Sequence, residues 1–140
     1  MNETTKEIVK STAPLIKEHG EKITTAMYKH LFANYPETEV LFANADKDQF
    51  RKLAQMVYAY AANIDKLDKL TDGIAKVAKI HVATKILPEH YPMVGESLLT
   101  AIKEVLGDAA TSEVLDAWAE AYGFLSTVFI AKEKELYQIA

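Results

Sequence analysis

Apolar side chains recur every three or four positions along most of this chain, which is the spacing that places them on one face of an α-helix. The clearest stripe lies in segment 47–62 and consists of Phe50, Leu53, Ala54, Val57, Tyr60 and Ala61. No segment shows the strict alternation of apolar and polar residues that is typical of a half-buried strand. The pattern therefore predicts an all-α protein.

Helix ends are marked by a small number of breakers, since the chain has five glycines and four prolines. Thr4 and Glu7 have the spacing of a capping box, which predicts that the first helix opens there and runs to about Gly20. Pro14 lies inside that helix and should kink it or split it. A second helix is predicted over residues 21–34.

The rest of the chain divides in the same way. Pro36 begins a short helical turn that ends near Phe42, and residues 43–47 form a polar loop. Further helices are predicted over residues 47–62, 67–84, 88–107 and 111–138, the third opened by Pro88 and stopped by Gly107. The sequence has no internal repeat and no linker. It predicts six or seven helices around one core, with residues 1–140 as a single domain.

Composition narrows the class of protein. The net charge is −4 with acidic and basic residues interspersed, so no basic face indicates nucleic-acid binding. There is no cysteine, which excludes disulfides and thiolate metal ligands. The N-terminal residues lack a signal-peptide pattern, and we expect no apolar run as long as the roughly 18 residues of a membrane helix. The expectation is a soluble cytoplasmic protein with no membrane partner.

Three polar residues fall on the predicted apolar faces. His81 lies about two helical turns after Ile74, on the same face of its helix. Tyr91 begins the apolar stripe of the next helix, and Glu133 lies one turn beyond Phe129. Each has an ordinary structural explanation when taken alone. An inward histidine is usually a hydrogen-bonded core residue, a buried phenol needs only a partner, and a glutamate near a helix end can reach solvent.

Together these residues favour a different interpretation. A histidine that binds a metal usually donates its second N–H to an acceptor behind it, which fixes the ring and strengthens its donor nitrogen. His81, Tyr91 and Glu133 come from three consecutive helices and could form such a relay if the fold brings them together. Gln49 borders the apolar stripe of its helix and can be explained as a solvated amide. Tyr28 lies on the inner side of its helix and can be explained as a core aromatic residue.

Five segments resemble the globin domain of bacterial flavohaemoglobins and their free-standing single-domain relatives. They are TAMYKHLF at 25–32, DQ at 48–49, YAANI at 60–64, EHYPMVGE at 89–96 and DAWAEAYG at 116–123. The segments follow in order and cover nearly the whole chain. The resemblance implies a globin fold, a three-on-three helical sandwich that encloses a haem.

The resemblance also implies roles for particular residues. His81 matches the proximal iron ligand, and Tyr91 and Glu133 match the residues that hydrogen-bond behind it. Tyr28 and Gln49 match the distal residues that contact bound ligand. The expected pocket walls are formed by Phe42, Leu53, Tyr91 and Val94. Without cysteine the haem cannot be attached through a Cys-x-x-Cys-His motif, so we expect one non-covalent b-type haem per chain.

Two functions follow from this resemblance. In one, the protein is an enzyme that detoxifies nitric oxide by dioxygenation to nitrate and receives electrons from a separate reductase. In the other, it carries, stores or senses oxygen without turnover. The expected partners are oxygen, nitric oxide and carbon monoxide, and the protein is expected to be a monomer or a homodimer.

Two departures from the fused family argue against self-contained turnover driven by NADH. Ile80 stands directly before the histidine, where many fused members have lysine, and we find no reductase domain in these 140 residues. A remote alternative is a haemless helical interaction domain, which would show no Soret band.

Overall fold

The computed structural model describes residues 1–43 and 48–139, with only the backbone of Ile139. Within these ranges the chain forms no strand, and its α-helices are α1 (Glu3–Ser11), α2 (Ala13–Asn34), α3 (Gln49–Ala62), α4 (Thr71–Thr84), α5 (His90–Leu106) and α6 (Ser112–Ile139). Short 3₁₀ helices occupy Pro36–Phe42, Leu67–Leu70 and Gly107–Ala109. The predicted all-α class is confirmed.

The first helix begins earlier than its capping box predicts. Asn2 is the N-cap, and its side-chain oxygen accepts a hydrogen bond from the backbone N–H of Thr5 at 2.8 Å. Thr5 itself is buried, and its hydroxyl donates to Glu120 of α6 at 2.9 Å. The prediction of an N-cap at Thr4 is therefore wrong. An asparagine two residues upstream supplies the same kind of acceptor.

The break between the first two helices lies at Pro14 and not at Gly20. Helix α1 ends at Ser11, and Pro14 occupies the first turn of α2, where a missing N–H costs nothing. Helix α2 then continues through Gly20 without interruption. A Cβ atom at Gly20 would lie 3.0 Å from the Cβ of Ala54 in α3, so this glycine permits two helices to cross closely.

The remaining boundaries follow the prediction with small shifts. Segment 67–84 is divided into a 3₁₀ turn and α4, and α5 begins at His90, two residues after Pro88. Gly107 follows α5 with a φ of +56°, a left-handed conformation that favours glycine. Of the predicted loop 43–47, residues 44–47 lie outside the described residues.

The core has two parts. Helix α2 packs on α3 and α5, and α6 packs on α1, α4 and α5. The main cluster is centred on Trp118, whose indole N–H donates to the Thr12 hydroxyl at 3.0 Å. A second, smaller cluster consists of Ala78, Tyr91 and Phe129. Tyr122 packs against both clusters and joins them.

Helix α6 corrects one expectation about membrane segments. Among the described residues, Ser112–Gln138 is long and apolar enough to cross a membrane by length and composition, because an 18-residue window within it has a mean hydropathy of 1.2. The core helix of a soluble protein passes the same test. Trp118, Ala121 and Phe129 of this helix are buried in the two clusters, and 28% of the apolar window is buried in all.

Candidate functional site

The structure brings His81, Tyr91 and Glu133 into direct contact. His81 lies in the last turn of α4, Tyr91 in the first turn of α5, and Glu133 on α6. The Nδ1 atom of His81 lies 2.8 Å from Oε2 of Glu133 and 3.0 Å from the Tyr91 hydroxyl. That hydroxyl donates to both Glu133 oxygens, at 2.7 and 2.9 Å. Three helices thus meet at one hydrogen-bonded group, which we call the proximal triad.

Burial makes this triad rigid and specific. Glu133 is only 3% exposed, and a buried carboxylate is stable only when donors satisfy it, as His81 and Tyr91 do here. Burial, the hydrogen bond to Glu133 and the charge of Glu133, in that order, raise the pKa of Tyr91 far above its usual value. Tyr91 therefore stays protonated and remains a donor. Phe129 packs against the rings of both His81 and Tyr91.

The triad determines which nitrogen of His81 is available. A carboxylate accepts and does not donate, so the Nδ1 atom that faces Oε2 carries the ring proton. The Nε2 atom then keeps its lone pair, and none of the described residues hydrogen-bonds to it. His81 is partly exposed, at 29% of its side chain. This is the arrangement of a histidine that is ready to bind a metal through Nε2.

A second group of side chains surrounds Tyr28 on α2. Its ring lies within 5.1–5.7 Å, between ring centroids, of Phe32, Phe42 and Phe50. Burial raises the pKa of Tyr28 above 10.0, and a hydrogen bond with Gln49 opposes this shift. The structure therefore joins Tyr28, Gln49 and Phe42, three of the residues that the sequence selected.

The apolar faces of α3 and α4 are only half covered. Helix α3 packs on α2 and α4 packs on α6, and within the described ranges α3 and α4 do not pack extensively on each other. Leu53 and Val57 on α3, Ile74 and Val77 on α4, and Val94 on α5 are all half-buried. These half-buried apolar side chains can pack against a large, mostly apolar group, and the free Nε2 of His81 can bind a metal in it.

The structure corrects the prediction for one aromatic residue, Phe50, and reveals the role of another, Tyr122. Phe50 was predicted to face the core, but it is 40% exposed and lies at the edge of the Tyr28 group. Tyr122 lies in the globin-like segment 116–123, and the sequence predicts no role for it. Its hydroxyl donates to the carbonyl oxygen of Tyr91 at 2.8 Å, and its ring lies 2.7 Å from where a Cβ at Gly95 would be. Tyr122 therefore holds the start of α5, which no local pattern indicates.

Comparison with known proteins identifies the family. The family model described as Globin matches residues 25–129. The chain is 50% identical over 137 residues to a globin-like protein of Aquifex aeolicus, with 98% of this chain and 97% of that protein covered. It is 47% identical over 140 residues to a flavohemoprotein of Oceanobacillus iheyensis, with 98% of this chain but 34% of that protein covered. The chain belongs to the globin family.

Solved structures agree. An engineered carbene transferase from Rhodothermus marinus, whose parent is a candidate nitric oxide dioxygenase, has a TM-score of 0.96 and 38% identity, with 99% of this chain and 97% of that one covered. A flavohemoglobin of Malassezia yamatoensis with bound FAD and heme has a TM-score of 0.76 and 25% identity, with 98% of this chain and 37% of that one covered. The chain thus spans about a third of the length of the flavohemoproteins that it matches.

The predicted globin fold is confirmed, and the predicted resemblance to flavohaemoglobin globin domains is confirmed with it. The residues present also fit the group that the family implies. A donor nitrogen backed by a buried carboxylate, beside half-covered apolar helix faces, is suited to haem. The protein is a haem-binding globin that binds diatomic gases.

Proposed function

We propose that this globin binds one b-type haem per chain through Nε2 of His81, and that it converts nitric oxide to nitrate with oxygen and with electrons from a separate reductase. The proximal triad is the observation that carries this proposal. The names of its flavohemoprotein relatives and of the Rhodothermus marinus protein support it. We place the protein in the cytoplasm, which the lack of cysteine suits.

The triad would control how strongly Nε2 of His81 donates to the iron of a bound haem. When bound, haem supplies a redox-active iron with an open position for a gas. Glu133 accepts a hydrogen bond from the Nδ1–H group of His81, and this bond increases the electron density at Nε2. Tyr91 donates to both oxygens of Glu133 and holds the carboxylate in register with the imidazole. Donation of this kind to a bound haem would favour oxygen chemistry over simple oxygen carriage.

Residues on the other side of the pocket would hold the gas. The Tyr28 hydroxyl is protonated at all physiological pH values and Gln49 is its hydrogen-bond partner, so the pair can present an O–H or N–H donor to a bound ligand. A hydrogen bond to a charged group contributes about 1.5–3 kcal/mol. This corresponds to roughly one to two decades in affinity. Phe42, Leu53 and Val94 would form apolar walls.

The same donor supports a second candidate function. A buried tyrosine that slows the escape of oxygen would serve an oxygen store, carrier or sensor equally well. The two functions make different demands on electron supply. Only the dioxygenase must be reduced again after each turnover, so the reductase distinguishes them.

Nitric oxide consumption by the haem-loaded protein tests the proposal. The assay supplies oxygen, NADH and a bacterial cytosolic extract as the source of reductase, with extract alone as the background. We expect sustained consumption over many turnovers, lost in His81→Ala. A single stoichiometric burst that then stops would reject the enzymatic function and leave an oxygen-binding globin.

A further inference from the structure

Tyr137 links the end of α6 to the turn that follows His81. Its hydroxyl donates to the backbone carbonyl oxygen of Ile86 at 2.7 Å. The N–H of Ile86 in turn donates to the carbonyl oxygen of His81 at 2.9 Å. Two hydrogen bonds therefore connect Tyr137 to the backbone of the histidine.

The turn that Tyr137 anchors has an unfavourable backbone conformation. Lys85 caps α4 with a φ of 67°, and it is the sole non-glycine residue with positive φ in the part of the chain that the structure describes. A left-handed conformation is unfavourable for a residue with a Cβ atom. Contacts from elsewhere in the fold must hold the turn, and the hydroxyl of Tyr137 provides one of them.

Tyr137 also lies beside Glu133, which precedes it by four residues on α6 and so shares its side of the helix. Both residues line a cavity of about 280 Å³ that opens between α6 and the turn residues Leu87 and Pro88. Burial and the nearby charge of Glu133 raise the pKa of Tyr137. Although Glu133 borders this cavity, it is only 3% exposed.

From these contacts we propose that Tyr137 is a positioning residue for the proximal triad. Its hydroxyl fixes the turn after His81, and its ring keeps water away from Glu133. Water at Glu133 would compete with Nδ1 of His81 for the carboxylate and would weaken their hydrogen bond, because such a bond is stronger in a dry, low-dielectric site. The proposal rests on the assignment of His81 as iron ligand in the proposed function.

Two substitutions at this position separate the effects of the hydroxyl and the ring. Tyr137→Phe keeps the ring, and we expect about five-fold faster hydrogen exchange of the Ile86 amide, the effect of one lost hydrogen bond. Tyr137→Ala removes both, and we expect in addition a lower iron–histidine stretching frequency in resonance Raman spectra of the ferrous, haem-loaded protein. Tyr137→Phe should shift this frequency less.

Tyr60→Phe is the matched control. The Tyr60 hydroxyl donates to a backbone carbonyl of α6, that of Ala121, at 2.6 Å, but it lies in the main core cluster. This variant should lose stability without altering the Raman frequency or the exchange of Ile86. The proposal is overturned if Tyr137→Ala leaves the frequency unchanged while Glu133→Gln lowers it. If neither variant changes it, the proximal assignment of the proposed function fails as well.

Discussion

At the residue scale, the proposed chemistry of this globin depends on buried side chains that keep a fixed protonation state. Tyr28 is 4% exposed, and burial holds its pKa above the ordinary value, so its hydroxyl is a permanent donor. An interaction with Gln49 acts against this shift without reversing it. A donor that keeps its proton can serve a bound ligand at any physiological pH.

Tyr28→Phe should therefore raise the oxygen dissociation rate of the haem-loaded protein by about ten-fold or more, since one hydrogen bond to the ligand is lost. Flash photolysis or stopped-flow measurement of oxygen release tests this. Tyr58→Phe is a suitable control because Tyr58 is a half-buried tyrosine of α3 whose ring contacts Lys17. An unchanged rate in Tyr28→Phe would remove this residue from its proposed role.

Glu133→Gln tests the proximal triad. The amide keeps the size of the side chain but is a weaker acceptor for the Nδ1 proton of His81 than a carboxylate. We expect a lower iron–histidine stretching frequency in the ferrous protein, as measured by resonance Raman. The relay from Glu133 to His81 would be ruled out by a frequency equal to that of the wild type.

At the element scale, the position of Tyr91 depends on how α5 crosses α6. In Gly95→Ala the new methyl group would lie 2.7 Å from the Tyr122 ring, which must move and lose its hydrogen bond to the carbonyl of Tyr91. We expect a loss of about 1–3 kcal/mol in the free energy of unfolding, as for other overpacked sites. Urea denaturation measures it.

The control for that experiment is Gly73→Ala in α4. Nothing lies within 4 Å of a Cβ atom at Gly73, which is exposed in a helix. Alanine is favoured over glycine in helices by about 1 kcal/mol, so this variant should be neutral or more stable. Equal effects of the two substitutions would show that the crossing at Gly95 is not tight.

Local signals predicted most helices but misplaced some of their boundaries. Pro14 and Gly20 are both breakers in the sequence, but in the structure the chain breaks between α1 and α2 just before Pro14 and α2 runs through Gly20. The reason is tertiary, since Gly20 is used for close contact with Ala54 and not for a turn. Periodicity cannot distinguish these two uses of glycine, because it carries no information on which helices cross.

The candidate site, like the helix boundaries, could be predicted from the sequence only in part. Periodicity selected His81, Tyr91 and Glu133 because inward polar side chains conflict with an apolar stripe. It could not select Tyr122 or Tyr137, whose rings fit helical stripes or helix ends without conflict. Their importance lies in hydroxyl groups that reach backbone carbonyls 31 and 51 residues away in sequence.

At the scale of the whole molecule, the buried tyrosines couple stability to alkaline pH. Burial is the largest cause of a raised pKa at Tyr28, Tyr60, Tyr91 and Tyr122. In the unfolded chain these phenols lose their protons near pH 10, whereas in the fold they keep them to higher pH. Above pH 10 the folded state therefore binds more protons than the unfolded state, and stability falls as pH rises.

We expect the free energy of unfolding to be nearly constant from pH 8 to 9.5 and to fall between pH 10 and 11 by about 1 kcal/mol for each buried phenol. Urea denaturation at a series of pH values measures this dependence.

Tyr60→Phe removes one of these phenols from the main core cluster, so its stability should be lower at pH 8 but should fall less steeply above pH 10. A wild-type protein whose stability stays level to pH 11 would show that its tyrosines ionise as easily in the fold as in the unfolded chain. Burial would then not be what keeps the hydroxyls of Tyr28 and Tyr91 protonated.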